Sequence, residues 1–182
     1  ETGSLTTIEL RADFARVAEA NATLYYGERP QWWDLQVGDF DSVAATLQEH
    51  SYDRIMLDML DPWNRLEQAY RVIAPGGVLV CYVTTTTQMS RLAEALRESG
   101  VWTEPDIQET LERSWKAQGL AVRPDHQMIG HTGFLIVSRA MAEGFQALKK
   151  RDRATKDTVT DIDDLTPQER EAQLEDLQLR DI

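Results

Sequence analysis

A chain of 182 residues, 42% of them apolar, is long enough for one packed domain and a tail. It contains no apolar run of membrane-spanning length and no signal peptide pattern, and its single cysteine, Cys81, excludes an intrachain disulfide. The net charge of −12 argues against a uniformly basic nucleic-acid binder, but residues 157–182 carry −7 of it, leaving −5 for the other 156 residues.

Cys81 lies inside an apolar strand pattern with no basic neighbour to lower its pKa, so it reads as inert core in a reducing, cytoplasmic setting. Taken in order, Glu1-Thr2-Gly3-Ser4 is a short glycine-containing turn, and Thr6–Leu10 reads as the end of a strand with Glu9 near its carboxyl end. Arg11–Tyr26 is helical in pattern, with Phe14, Val17, Ala18 and Asn21 at spacings of three and four and Gly27 as its stop. A loop with Pro30, Trp32 and Trp33 leads to a short strand, Leu35-Gln36-Val37, which ends in Gly38-Asp39-Phe40. Val43–His50 reads as a helical turn or two.

The segment YDRIMLDMLDPW, residues 52–63, organises the chain. Ile55, Met56 and Leu57 form a short apolar run, Asp58 follows at once, and Pro62-Trp63 opens a helix. That pattern predicts a buried parallel strand, and ligands of parallel sheets sit outside the carboxyl ends of strands. Asp58 is therefore expected to face a crevice. The competing expectation is that Asp58 or Asp61 caps the following helix. Leu66, Ala69, Tyr70 and Ile73 mark one helix face, Pro75-Gly76-Gly77 breaks it, and VLVCYV at 78–83 reads as a second buried strand. Four threonines then lead to Gln88, and Leu92, Ala95 and Leu96 stripe a helix that ends at Gly100. Repeated strand–helix units predict an α/β fold with a mostly parallel sheet.

Beyond this point the pattern changes. Ile107–Trp115 alternates loosely, Leu120–Pro124 is extended, and His131–Ser138 is a strong strand. With no helix between the last two, they are expected to pair antiparallel at the sheet edge. A basic cluster (Lys149, Lys150, Arg151, Arg153, Lys156) and an acidic tail follow. In the tail, Thr166-Pro167-Gln168-Glu169 resembles a capping box for a helix over 167–179; a solvated, unstructured tail is the alternative. The resulting division is a catalytic domain at 1–140 and a basic, then acidic, tail at 141–182.

Acids thus stand at three strand ends, Glu9, Asp39 and Asp58. In one crevice, the first suits ribose hydroxyls and the second an exocyclic adenine amine, which favours an adenosine-containing ligand. NAD and S-adenosylmethionine both meet that description. The antiparallel ending tips the choice to the methyl donor by analogy with class I methyltransferases. Histidines 50, 126 and 131 are too scattered for a metal site.

The segments LDMLDPW (57–63), PGGVLVCYVTTTTQ (75–88), WTEP (102–105) and RPDHQMIGHTGFL (123–135), with IELRADFARVAEAN (8–21), resemble the bacterial tRNA (adenine-58-N1)-methyltransferase family, the TrmI type. The resemblance covers roughly residues 8–140. It implies a class I, Rossmann-like fold, S-adenosylmethionine as donor, tRNA as substrate, no metal, and a homotetramer built as a dimer of dimers. It further implies that Glu9 holds the donor ribose, that Asp39 lies near its adenine with Phe40 beside it, and that Asp58 is the catalytic aspartate with Tyr82 close by. Gln88 and His131 fall within family motifs, as candidates for substrate binding. The family also has an N-terminal β-rich domain and a Gly-x-Gly-x-Gly loop. Here the loop is reduced to the remnant around Gly3, so the chain is expected to be a fragment or to have lost segments. The bottom-up chemistry agrees: adenine N1 has a free lone pair, methylation makes the ring cationic, and a fixed carboxylate accepting from N6 orients the base and stabilises that charge. Tyr82 either contacts the base or is plain strand packing. Arg113, Lys116, Arg123 and the 149–156 cluster are the candidate phosphate contacts. Two other functions fit the same residues, a non-catalytic tRNA-binding subunit and a small-molecule methyltransferase.

Overall fold

The computed structural model describes residues 3–147. The basic cluster, the acidic run and the expected helix at 167–179 lie outside the described residues. The elements in order are β1 (Leu5–Glu9), α1 (Ala12–Tyr26), β2 (Trp33–Val37), α2 (Phe40–Ala44) and β3 (Tyr52–Asp58). A 3-10 turn (Pro62–Arg65), α3 (Leu66–Val72), β4 (Ile73–Val83) and α4 (Thr86–Ser99) follow. The last four are β5 (Asp106–Gln108), β6 (Trp115–Gln118), β7 (Ala121–Pro124) and β8 (Phe134–Arg139).

The strands form three separate ladders, β1-β2, β3-β4-β8-β5 and β6-β7. β1 and β2 are parallel, as are β3 and β4, whereas β8 runs antiparallel to both β4 and β5. The α/β class with a mostly parallel sheet and an antiparallel ending is therefore the observed one. The antiparallel partners differ from expectation. The 120–124 segment does not pair with β8; it folds back on β6 through Gly119, whose φ of +56° suits a residue without a Cβ. The reason is burial. Ile136 of β8 is 1% exposed and inserts beside Cys81, while the β6–β7 ribbon has no face that reaches the core. The loose alternation at 107–115 yields strand only at its two ends, in β5 (Asp106–Gln108) and at Trp115, where β6 begins.

One core holds the four-stranded ladder. Leu57, Leu79, Cys81, Val83 and Ile136 face Leu66 and Ala69 of α3 and Leu92 and Leu96 of α4, with Trp102 and Ala140 closing one side. Each fully buried leucine or isoleucine here contributes about 1.5–3 kcal/mol. Burial makes the Cys81 thiol a core group, pushing its pKa up to about 12. Gly100 ends α4 at φ +68°, and Thr85 with Gln88 forms a capping box at its start.

Two local expectations need correction. Pro75-Gly76-Gly77 does not separate helix from strand; it lies inside β4, where the register jumps from Tyr52↔Ile73 to Arg54↔Val78. Gly76 takes φ +78°, and a Cβ on Gly77 would come 2.6 Å from Ile73 Cγ1 and 2.8 Å from the Ala74 carbonyl oxygen, so this bulge requires both glycines. Strands β3 and β4 are also not buried on both faces. Ile55, Leu57, Leu79, Cys81 and Val83 point to the helices, whereas Met56 (78% exposed) and Asp58 lie on the opposite, open face with Val80 and Tyr82. After β8 the chain remains attached to the core. Met141 donates its amide to Val101, and Ala147 donates to Gly100 at 3.2 Å, so the packed body extends past the expected boundary at 140.

Candidate active site at the carboxyl edge of β3 and β4

Asp58 ends β3, and its register partner on β4 is Tyr82. Neighbouring strands lie about 4.8 Å apart and partners share a face, so the two side chains stand side by side on the open face. The Asp58 side chain is exposed and makes no hydrogen bond or ion pair among the described residues. It is not a helix cap. The N-cap of the following turn is Asp61, whose carboxylate makes no capping bond and accepts instead from Asn64 Nδ2 at 2.8 Å. The free carboxylate at the strand end is thus left on the solvent side.

The surrounding groups fix this edge. Gln88 Nε2 donates to the Leu60 carbonyl at 2.9 Å, while its Oε1 accepts from the Thr85 amide at 3.1 Å. Gln88 therefore ties the start of α4 to the loop that follows Asp58. The Tyr82 hydroxyl donates to the Thr132 carbonyl at 2.5 Å, which leaves its ring as the surface it can offer. His131 Nδ1 lies 2.5 Å from Glu109 Oε1 and its Nε2 lies 2.7 Å from the Thr84 carbonyl. The Glu109 carboxylate, with help from the Thr84 carbonyl, raises the imidazole pKa. Asp58, Tyr82, Gln88 and His131 are thus gathered at one edge, although Gln88 and His131 are engaged with the protein itself.

Glu9 and Asp39 form a second group. Glu9 closes β1 beside Val37, the Gly38 amide donates to the Glu9 carbonyl at 3.0 Å, and Glu9 Oε1 accepts from the Arg11 amide at 2.9 Å. Its second oxygen has no partner among the described residues, as a ribose-binding carboxylate requires. Asp39 caps α2, accepting the amides of Asp41 and Ser42 through one oxygen at 3.0 and 3.3 Å. Phe40 follows it and packs against the core. Asp41 Oδ1 is buried without a hydrogen-bond partner, while the other oxygen of the same carboxylate is bonded to Arg65. These features fit an adenosine-bearing cofactor.

One residue with no signature in the sequence joins the two groups. Arg65, from the turn after β3, is bonded to Asp41 and lies 4.0 Å from Asp39 and 3.8 Å from Asp61. Partial burial pulls the guanidinium pKa down, but Asp41, Asp61 and Asp39 together move it upward. The strand beginnings also meet, through a 3.0 Å bond between the Thr6 and Tyr52 hydroxyls. The β1–β2 and β3–β4 ladders consequently run the same way, with their carboxyl ends on one side. Gly3 is the exception among the expected site residues. It precedes β1 and is exposed, and at about 3.3 Å per residue it lies roughly 20 Å from Glu9, at the opposite strand end.

No protein-family model matches the chain. It is 30% identical over 164 residues to the tRNA (adenine(57)-N(1)/adenine(58)-N(1))-methyltransferase TrmI of Methanocaldococcus jannaschii, covering 79% of this chain and 58% of that one. It is also 30% identical over 139 residues to tRNA (adenine(58)-N(1))-methyltransferase TrmI of Thermus thermophilus, covering 76% and 52%. The chain thus spans little more than half the length of the curated relatives it matches. Among solved structures it superposes on an S-adenosylmethionine-dependent O-methyltransferase from Thermotoga maritima, with a TM-score of 0.69, 24% identity and coverage of 83% and 52%. The tRNA (m1A58) methyltransferase TrmI of Aquifex aeolicus gives the same TM-score at 22% identity, with coverage of 76% and 54%. Those two structures carry the fold, and the curated relatives carry the sequence similarity. The chain has the class I S-adenosylmethionine-dependent methyltransferase fold and, over 76–79% of its length, is similar to TrmI-type tRNA (adenine-N1)-methyltransferases.

Proposed function

We propose that the protein transfers a methyl group from S-adenosylmethionine to N1 of adenosine 58 in the T-loop of tRNA. The observation that carries this is the register pairing of a free Asp58 with Tyr82 at the open strand edge, in a chain 30% identical to enzymes named for that reaction. Glu9 binds the ribose of the cofactor through its free oxygen, and Asp39 and Phe40 meet its adenine. S-adenosylmethionine, when bound, supplies an electrophilic methyl group. Asp58 accepts the N6 hydrogen of the target adenine, presents N1 for attack and stabilises the cationic ring that results. Because N1 lies on the Watson–Crick edge, the base is extruded from its tertiary pair before transfer. Tyr82 flanks it with a ring whose hydroxyl is anchored on Thr132.

Recognition of tRNA is by shape and phosphate contact. Arg113 and Arg123 are the contacts proposed here, since Lys116 is paired with Asp125 at 2.9 Å. Self-association to a homotetramer is part of this proposal, supported by an exposed β6–β7 ribbon carrying Trp115 and Val122, each 62% exposed. We place the reaction in the cytoplasm, where tRNA is substrate. Among the described residues no helix is long and apolar enough to cross a membrane.

The test is transfer from labelled S-adenosylmethionine to unmodified tRNA, with Asp58→Ala in parallel. Label at N1 of adenosine 58 that falls about a hundredfold in the variant supports the assignment. Bound tRNA without any label would overturn it in favour of a non-catalytic tRNA-binding subunit.

A further inference from the structure

Residues 131–133 are fastened to the carboxyl end of β4 at three successive positions. His131 Nε2 meets the Thr84 carbonyl at 2.7 Å, and the Thr132 carbonyl accepts the Tyr82 hydroxyl at 2.5 Å. Gly133 is buried so tightly on the Tyr82 ring that a Cβ there would come within 2.4 Å of Cζ. On the far side of the imidazole stands Glu109, 2.5 Å from Nδ1, with the Phe134 ring at 4.9 Å between centroids. A carbonyl and a carboxylate only accept hydrogen bonds. A ring that satisfies both must carry a proton on each nitrogen, so this geometry is that of an imidazolium between a charge and a dipole. The ring joins three segments distant in sequence: the irregular stretch after β5, the end of β4 and the approach to β8.

We propose that Glu109 is a positioning residue, which holds charged His131 against the Thr84 carbonyl and so seats residues 131–133 on Tyr82 beside Asp58. Its effect on catalysis rests on the proposed adenine-N1 transfer; the latch itself does not. Among the described residues Glu109 is the ionisable group that meets the ring, while Thr84 contributes a carbonyl and Phe134 an uncharged face. Seating the loop before tRNA arrives forms the wall next to the base pocket in advance, and loosening it lowers the fraction of protein ready to bind. Loss of Glu109 is therefore read mainly in KM for tRNA.

The experiment follows the His131 ring nitrogens by NMR titration in the 182-residue chain, comparing wild type with Glu109→Gln and the conservative Glu109→Asp. The expected result is a His131 midpoint that shifts to lower pH in Glu109→Gln and is partly restored in Glu109→Asp. Amide exchange at Thr132–Phe134 should become roughly tenfold faster in Glu109→Gln, with Leu79 in β4 unchanged. An unmoved midpoint with unchanged exchange would overturn the latch, whatever the transfer assay shows. In that assay the latch predicts a roughly five- to tenfold rise in KM for tRNA with kcat changed less than about twofold. An equal fall in kcat with unchanged KM would overturn the positioning role. If the wild type shows no transfer while the titration and exchange respond as expected, the latch stands and the proposed reaction fails.

Discussion

The two ends of the candidate site rest on regions of very different packing. The β3-β4-β8-β5 ladder presents Leu57, Leu79, Cys81, Val83 and Ile136 to α3 and α4, all at 2% exposure or less. In β1, α1 and β2, burial is confined to Ala15 and Trp33, while Leu5, Phe14, Val17 and Leu24 are each at least 49% exposed. Asp58 and Tyr82 belong to the first region, Glu9 and Asp39 to the second. The groups proposed to act on the base are therefore held on a rigid edge, and those proposed to read the cofactor on an element with little packing of its own. The contrast predicts that cofactor binding orders the second region more than the first.

The largest test of that contrast is a pair of truncations. Leu96→Ala, at a fully buried position, should cost about 2–5 kcal/mol in chemical unfolding, whereas Phe14→Ala in α1 should cost less than about 1 kcal/mol. Similar losses from both would show that α1 is packed as tightly as α4 and would break the comparison. Next in size is Asp58→Asn. It should lower kcat for tRNA methylation about a hundredfold while unfolding stability stays within about 0.5 kcal/mol, because the side chain is exposed and unpartnered among the described residues. A large stability change would mean that the carboxylate is structural after all.

Glu9→Gln sharpens the comparison from the cofactor side. It should weaken S-adenosylmethionine binding roughly tenfold by calorimetry, with the tRNA dissociation constant unchanged. Cofactor addition to wild type should slow amide exchange in β1 and β2 more than in β4; equal protection throughout would refute the division of labour. The smallest effect concerns pH. The Glu109 carboxylate raises the His131 pKa, so the stability gained from the charged ring is fully present below the ordinary imidazole range, about 6.5, and is lost as pH rises through the folded value. The difference in Tm between wild type and His131→Asn should accordingly shrink between about pH 6 and about pH 9. A difference that widens with pH would contradict the assigned protonation.

Several features were legible from local pattern alone. The apolar run at 55–57 with Asp58 at its end, the helical spacing of Leu92 and Leu96, and Gly27 and Gly100 as helix stops all appear where the periodicity puts them. These depend on chain-local sterics and on which face of a strand or helix is apolar, which the order of residues encodes directly. The choice of partner for β8, the bulge formed by Gly76 and Gly77, and the open face shared by Asp58 and Tyr82 were decided only in three dimensions. So were the carboxylates drawn to Arg65 and the imidazole held between Glu109 and Thr84. Apart from the local contacts of Asp61 with Arg65 and of Gly77 with Ile73 and Ala74, these features join residues about 20 or more positions apart. Their proximity arises when long-range strand pairing closes the intervening loops, so pattern singled out Asp58, and the family resemblance His131, as candidate site residues without revealing that the first stands free and the second is tied down.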